Sequence, residues 1–286
     1  MKLLVGSYIS ISYEIKYLDR GEENILISTK KRIRSESGEE KIIDEPQIVR
    51  LGEGELPDFF EKLLQEIDIE IERKYELDVS PEKAYGKRDP KKIESIPIKK
   101  LRRLLQQEKL MTDDHSNKIA PNKMLYINIG GAQIYYGRII HVGDRDAIID
   151  RNHPLAGKTL HVTFRIHKVV LPNAPKQEKI RIILEKFFGA VSNYITPRFT
   201  DENTLELELS KDYFEKFPSI DRENAETILR EIYVPKILLL TRMSLLYKDI
   251  GITKLVWIDE YEEKIKASSE ATVKIDKPAE ASQQKE

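Results

Sequence analysis

Apolar residues recur at every second position over residues 7–18, with Ile9, Ile11, Tyr13, Ile15 and Tyr17 on one side and Ser10, Ser12, Glu14 and Lys16 on the other. A period of two marks a half-buried strand. Residues 21–45 lose the alternation and read as a polar, irregular excursion from a sheet. A short strand over residues 48–51 stops at Gly52 and Gly54. In "LPDFFEKLLQEI", Pro57 suits a first helical turn, and Phe60, Leu63, Leu64 and Ile67 recur at the spacing of one helix face. Residues 71–79 alternate again, and "SPEKAYGKRDP" breaks that second strand.

The next stretch changes character. Residues 98–107 predict a basic helix with Leu101, Leu104 and Leu105 on one side. A meander follows, punctuated at Gly130-Gly131 and Gly143-Asp144. "TLHVTFRIHKVV" is a single strand that needs a sheet from elsewhere. After a proline-containing linker at residues 171–175, the pattern predicts a helix at 176–188, a strand at 204–209, a long helix at 222–247 and a strand at 254–261. The long helix carries Ile228, Ile232, Leu239, Met243 and Leu246, is apolar over much of its surface, and should kink at Pro235. Such a surface needs a partner, within its own domain or from another copy. Residues 263–286 are rich in Lys, Glu, Ala and Ser and read as a disordered tail.

Composition narrows the class. With 286 residues there is room for two or three cores, and 34% charged residues indicate a soluble globular chain. No apolar run approaches the roughly 18 residues of a membrane span, and the N-terminus is too poor in apolar residues for a signal peptide. Zero cysteines exclude disulfides and thiolate metal sites. Abundant Lys, Glu and Ile lean towards a thermophile's cytoplasm. The net charge of −1 hides a segregation: residues 36–82 hold 16 acids and 5 bases, and residues 83–109 hold 10 bases and 3 acids. Blocks of opposite sign point to different surfaces, or to two solvated faces.

Four motifs occur in order: "SYEIKYLDRGE", "VRLGEGELPDFFE", "VSPEKAYGKRDP" and "DRNHPLAGKTLHVTF". Together they resemble an FKBP-type peptidyl-prolyl cis-trans isomerase of the SlyD-like, long archaeal kind, over roughly residues 1–171. The resemblance implies an α+β chain in which an antiparallel half-barrel wraps a short helix. The isomerase domain would comprise residues 1–88 and 150–171, interrupted by a β-rich insert-in-flap chaperone domain at 89–149. A C-terminal α/β domain at 172–262, associated with dimerisation, and the tail would follow. "DRNHPLAGKTL" then becomes the hinge where the chain re-enters its first domain. Pro154 and Gly157 suit a tight turn, and Asn152 or His153 can satisfy backbone groups left open by the break.

The resemblance assigns Tyr13, Leu56, Phe60 and Tyr85 to the catalytic cleft, with the Tyr85 hydroxyl bonding the substrate carbonyl. Leu26, Ile27, Pro57 and Val162 fall at further cleft positions. Departures from the family are clear. Ser28-Thr29 follow Leu26 and Ile27 where the family carries an aromatic and an aspartate. Pro57 stands where a backbone N–H usually meets the peptide, and Gln47 and Val162 hold positions that are often aromatic. Isomerisation is expected, efficient isomerisation is not. In the insert, Ile134, Tyr135, Tyr136, Ile139 and Ile140 are offered to unfolded chains, although about half of them must form the insert's own core. Expected partners are unfolded or nascent polypeptides with X-Pro segments, a second copy through the C-terminal domain, and a weak ribosome or RNA contact through "KRDPKKIESIPIKKLRRL". The expected setting is cytoplasmic, without membrane or cofactor. Four of five histidines cluster in sequence at 141, 153, 161 and 167, but lack ligand spacing. No metal is therefore expected, and a tail without His or Cys argues against nickel delivery.

Overall fold

The computed structural model describes residues 1–19, 21–34, 40–129, 132–216, 222–259 and 273–274. In chain order the strands begin with β1 (Tyr8–Asp19), β2 (Glu22–Ser28), β3 (Lys30–Arg34), β4 (Glu40–Asp44) and β5 (Gln47–Arg50). Helix α1 (Asp58–Glu66) and β6 (Lys74–Val79) follow. Next come β7 (Ile93–Pro97), α2 (Ile98–Gln106), β8 (Met111–Thr112), β9 (Met124–Ile129), β10 (Ala132–Val142), β11 (Asp146–Asp150) and β12 (Leu160–Val170). The remainder is α3 (Lys176–Phe188), β13 (Ile195–Phe199), β14 (Thr204–Leu209), α4 (Arg222–Ile228), α5 (Val234–Thr241), α6 (Met243–Ile250), β15 (Lys254–Asp259) and β16 (Val273–Lys274). The fold class is α+β, as expected. One sheet has the order β2-β1-β12-β6 with β5 also paired to β1, which supplies the sheet that the β12 segment needs.

Two compact units divide the chain. The first holds Met1–Tyr13, Thr29–Lys74 and Phe164–Glu286; the second holds Glu14–Ser28 and Tyr75–Thr163.

In the first unit, Tyr8 to Tyr13 are all buried, including Ser10 and Ser12. This corrects the half-buried reading for the first half of the strand, whereas residues 14–19 keep it. Tyr8 belongs to the same core as Ile180, Ile183, Leu184, Leu239, Leu246 and Trp257, with Ile48 packed against it. A second apolar layer therefore covers the serine-bearing face. Small hydroxyl side chains at Ser10 and Ser12 let that layer approach, so polarity in the pattern did not mean exposure.

The irregular excursion is also corrected: β3 and β4 form an antiparallel hairpin in register from Lys30↔Asp44 to Arg34↔Glu40. Its residues are almost all exposed, so no apolar alternation marks it. The long helix at 222–247 is instead three helices. A π-helical turn, Leu229–Tyr233, separates α4 from α5, and Arg242 leaves helical geometry before α6. Pro235 follows closely on that π-helical turn, and because Tyr233 and Val234 are themselves helical, its missing N–H removes a bond from within the helical run. β14 and β15 run parallel from Thr204↔Lys254 to Leu209↔Asp259, and these helices form the crossover that parallel pairing requires. The expected tail lies outside the described residues, except that Val273–Lys274 add a short antiparallel strand to β15.

In the second unit a sheet of order β7-β11-β10-β9-β8 carries α2. Leu101 and Leu105 of α2 pack with Ile96, Leu125, Ile139, Ala147 and Ile149. The turn at Gly143 closes with an N–H bond to the Asp146 carbonyl at 2.9 Å, while that at Gly130-Gly131 lies outside the described residues. Gly137 sits where β10 bulges against β9. A Cβ there would lie 2.8 Å from Ile149 Cγ2 and 2.9 Å from the Asp150 carbonyl oxygen. Because backbone cannot yield as a side-chain end can, Gly137→Ala should destabilise this unit by about 1–3 kcal/mol. Amide exchange in β10 and β11 would register the loss, and unchanged protection would refute the close approach.

Candidate functional site

In the first unit, β1, the loop before α1, α1 itself and β12 bring aromatic groups together. Phe60 is fully buried in the first turn of α1, with Leu56 only 3% exposed in the loop ahead of it. The Tyr13 ring lies 5.3 Å from Phe60, tilted by 52°, and Phe164 meets Phe60 edge-on at 5.5 Å. Such tilted and edge contacts are favoured by ring quadrupoles. Phe164 was missed in the sequence. It shares the inward face of β12 with Val162 and Ile166, so the aromatic group absent from position 162 is present two residues on.

Tyr13 is held by backbone pairing as well as by packing. Its N–H donates to Thr29 Oγ1 at 3.0 Å, its carbonyl accepts from the Thr29 N–H at 2.9 Å, and the Thr29 hydroxyl donates to Asp44 Oδ1 at 2.8 Å. Burial raises the Tyr13 hydroxyl pKa, keeping it a neutral donor. Pro57 is half-buried, and its carbonyl starts the helix by accepting from Phe60 at 2.8 Å, but it has no N–H to offer a ligand.

In the second unit, the aliphatic side chains of Leu26 and Ile27 on β2 are half-buried and 37% exposed respectively. Val162 is 0% exposed on the inward face of β12, as Phe60 is on α1. Tyr85 lies in the turn after β6 and stacks flat on His153, with rings 4.2 Å apart and 3° from parallel. His153 comes from the "NHPLAG" loop, and its Nδ1 accepts from the Leu155 N–H at 3.2 Å. The same loop is tied to the Tyr85 turn by the Gly157 N–H donating to the Gly86 carbonyl at 2.8 Å.

The re-entry loop is built around Asn152. Its amide donates to the Asp89 carbonyl and its Oδ1 accepts from the Asp89 N–H, both at 2.9 Å. These bonds join the chain leaving for the insert to the chain returning from it. Asp150 accepts from the Asn152 N–H and amide at 3.0 and 2.7 Å and pairs with Arg88 at 2.7 Å. Burial would raise the Asp150 pKa, but the bonds from Asn152 and the Arg88 charge outweigh it and lower the net value.

Partial burial lowers the pKa of His153. The folded loop thus favours neutral imidazole, and the stability this contributes is present above the ordinary value of about 6.5. It is lost as pH falls through that value towards the depressed one. Acidification should therefore loosen the Tyr85–His153 stack and free the Leu155 N–H, visible as titrating NMR shifts of both residues. His153→Phe keeps a ring and should abolish that titration; its persistence in the variant would show another group to be responsible.

Among the insert residues, Ile139 is fully buried in the core, as about half of the group was expected to be. Tyr136 is half-buried, donating its hydroxyl to Glu94 at 3.0 Å under the Arg151 guanidinium. Tyr135 packs edge-on against Tyr126. Ile134 is 50% exposed, and the pairing of β9 with β10 puts it on one side with Ile129, which is 60% exposed. The exposed apolar surface is thus an isoleucine pair, with Tyr126 and Tyr135 on the opposite face.

The histidines are separately engaged: His161 with Asp78 at 2.9 Å, and His167 with Glu72 at 3.0 Å and the Ser12 hydroxyl at 2.7 Å. Among the described residues no three His, Asp or Glu side chains converge on a possible metal position, and no helix is long and apolar enough to cross a membrane.

No protein-family model matches the chain. The chain is similar to a short-type peptidyl-prolyl cis-trans isomerase of Methanocaldococcus jannaschii, being 31% identical to it over 119 residues. That match takes in 42% of this chain and 64% of the relative, just under two thirds of the relative's own length.

Proposed function

We propose that this chain is a peptidyl-prolyl cis-trans isomerase of the FKBP type. The observation that carries the reading is the similarity to a curated isomerase, supported by the Tyr13–Phe60–Phe164 cluster. Rotating an X-Pro bond means crossing a barrier of about 18–20 kcal/mol set by amide resonance. The chemistry requires no nucleophile, metal or cofactor. An apolar surface that strips water from the imide disfavours its charge-separated form, and hydroxyl groups hold the twisted state. Tyr13, Leu56 and Phe60 supply apolar surface in this reading, and the resemblance gives the carbonyl contact to Tyr85.

A SlyD-like chaperone role extends the reading, with unfolded or nascent X-Pro chains held through Ile129 and Ile134 and passed on for isomerisation. Linking two modest sites on one chain raises effective concentration. The exposed α2 face, with Lys99, Lys100, Arg102 and Arg103, would add only a salt-sensitive contact to ribosome or RNA. A cytoplasmic setting in an archaeon suits this role. The chain would work as a homodimer through the C-terminal helices. Ile228, Ile232 and Leu239 are buried at home, but Leu229, Ile237 and Leu238 are 50–60% exposed. Ile237→Glu should then shift sedimentation to the monomer; a parent chain already monomeric would remove the dimer from the proposal.

The second reading is a holdase with weak turnover, favoured by Ile27 and Pro57, which supply neither a carboxylate nor an N–H. A protease-free isomerisation assay on an Ala-X-Pro-Phe peptide separates the two, run beside Tyr85→Phe and an insert-deleted variant. Turnover that falls in both supports the isomerase. Absent turnover, with unfolded protein still kept soluble, supports the holdase.

A further inference from the structure

We propose that the first unit contains a second ligand site, unrelated to the aromatic cluster, that takes a small molecule through an oxyanion, either carboxylate or phosphate. A cleft of about 510 Å³ opens beside β1, β5 and β12 and beneath the end of α3. Its lining includes Ser10, Lys168, Arg181, Glu185, Ser192 and Asn193, and every lining residue belongs to this one unit. A gap left by imperfect packing would be walled by aliphatic side chains; here polar groups dominate.

The charges in the cleft do not cancel. Lys168 donates to Glu185 at 2.9 Å, which neutralises both. Arg181 lies one helical turn before Glu185 and donates one N–H to the Ile195 carbonyl at 3.2 Å. Among the described residues no carboxylate pairs with it. A guanidinium with donors to spare is the group that binds carboxylate and phosphate in a two-pronged fashion.

Ser10 provides the second, independent observation. It is 8% exposed on the central strand, it lines the cleft, and among the described residues no side-chain hydrogen bond satisfies its hydroxyl. Its neighbour Ser12 shows the alternative, with its hydroxyl bonded to His167. A hydroxyl that lines an open cleft without a protein partner is free to bond a ligand oxygen there. Arg181, exposed on α3, and Ser10, buried on β1, thus line the same cleft and are the groups assigned to the oxyanion.

Calorimetric titration of the full chain with inorganic phosphate and, separately, succinate tests this. Saturable binding of either is expected, and the preferred probe names the anionic group. Arg181→Gln should weaken it by about tenfold or more, and Ser10→Ala should weaken it with unchanged thermal stability. Glu185→Gln should tighten it, because removing the carboxylate releases the Lys168 charge to the ligand. That sign distinguishes a binding site from a structural ion pair. Binding that fails to saturate with both probes, survives Arg181→Gln, or weakens in Glu185→Gln would overturn the proposal.

Discussion

Asp249→Ala is expected to lower the unfolding free energy of the first unit by about 3–5 kcal/mol, the cost of leaving one charge of a buried pair unmatched. Asp249 and Arg50 have side chains only 8% and 5% exposed. The pairing is two-pronged, with Arg50 Nη2 donating to Oδ1 at 2.6 Å and Nε to Oδ2 at 2.9 Å. The Tyr8 hydroxyl donates to the same carboxylate at 2.6 Å. Burial, then the Asp249 bond and charge, hold the Tyr8 hydroxyl well above the ordinary tyrosine range, so it remains a donor. Removing the carboxylate strands a guanidinium whose remaining acidic partner is Glu53, and orphans the tyrosine hydroxyl. Denaturation followed by the fluorescence of Trp257, the single tryptophan, reports on this unit directly. Arg50→Met combined with Asp249→Leu removes both charges and should recover most of the loss. A double variant as unstable as Asp249→Ala would mean that packing, not the stranded charge, sets the cost.

Phe60→Ala should have the other large effect, removing both stability and turnover. Truncating a fully buried phenylalanine costs about 3–5 kcal/mol, and here the ring also carries the contacts to Tyr13 and Phe164. Under the isomerase reading, kcat/KM should fall steeply even well below the melting temperature. Phe60→Leu, which keeps most of the apolar volume, should recover much of the stability and less of the activity. Peptide turnover left within twofold of the parent in Phe60→Ala would detach the aromatic cluster from isomerisation while leaving its structural role intact.

Hydrophobic pattern and breakers alone were enough to locate α3 and β14, and to place β1, α1 and α2 within a residue or two. Each has strong local periodicity bounded by Pro, Gly or a charged turn. The same rule failed at β3 and β4, because an exposed hairpin made of Lys, Arg and Glu has no buried face to leave a pattern. It also failed at 222–247, where apolar residues all round the segment cannot reveal where a helix widens or breaks.

The candidate site divides along the same line. Tyr13, Leu56, Phe60 and Tyr85 were assigned through motif resemblance, and Asn152 or His153 through the chemistry of a broken sheet. The role of Phe164 follows only once β12 lies in the sheet, and the stack of His153 on Tyr85 only once the two turns are joined. What the sequence by itself determined was the local part: element type, buried faces and chain order, all set by interactions within a few residues. Which groups meet was decided by tertiary structure, as with Arg50 and Asp249, 199 residues apart, or Ser12 and His167, 155 apart. Such partners are chosen by strand register and layer packing, which carry no signature in the residues immediately around either one.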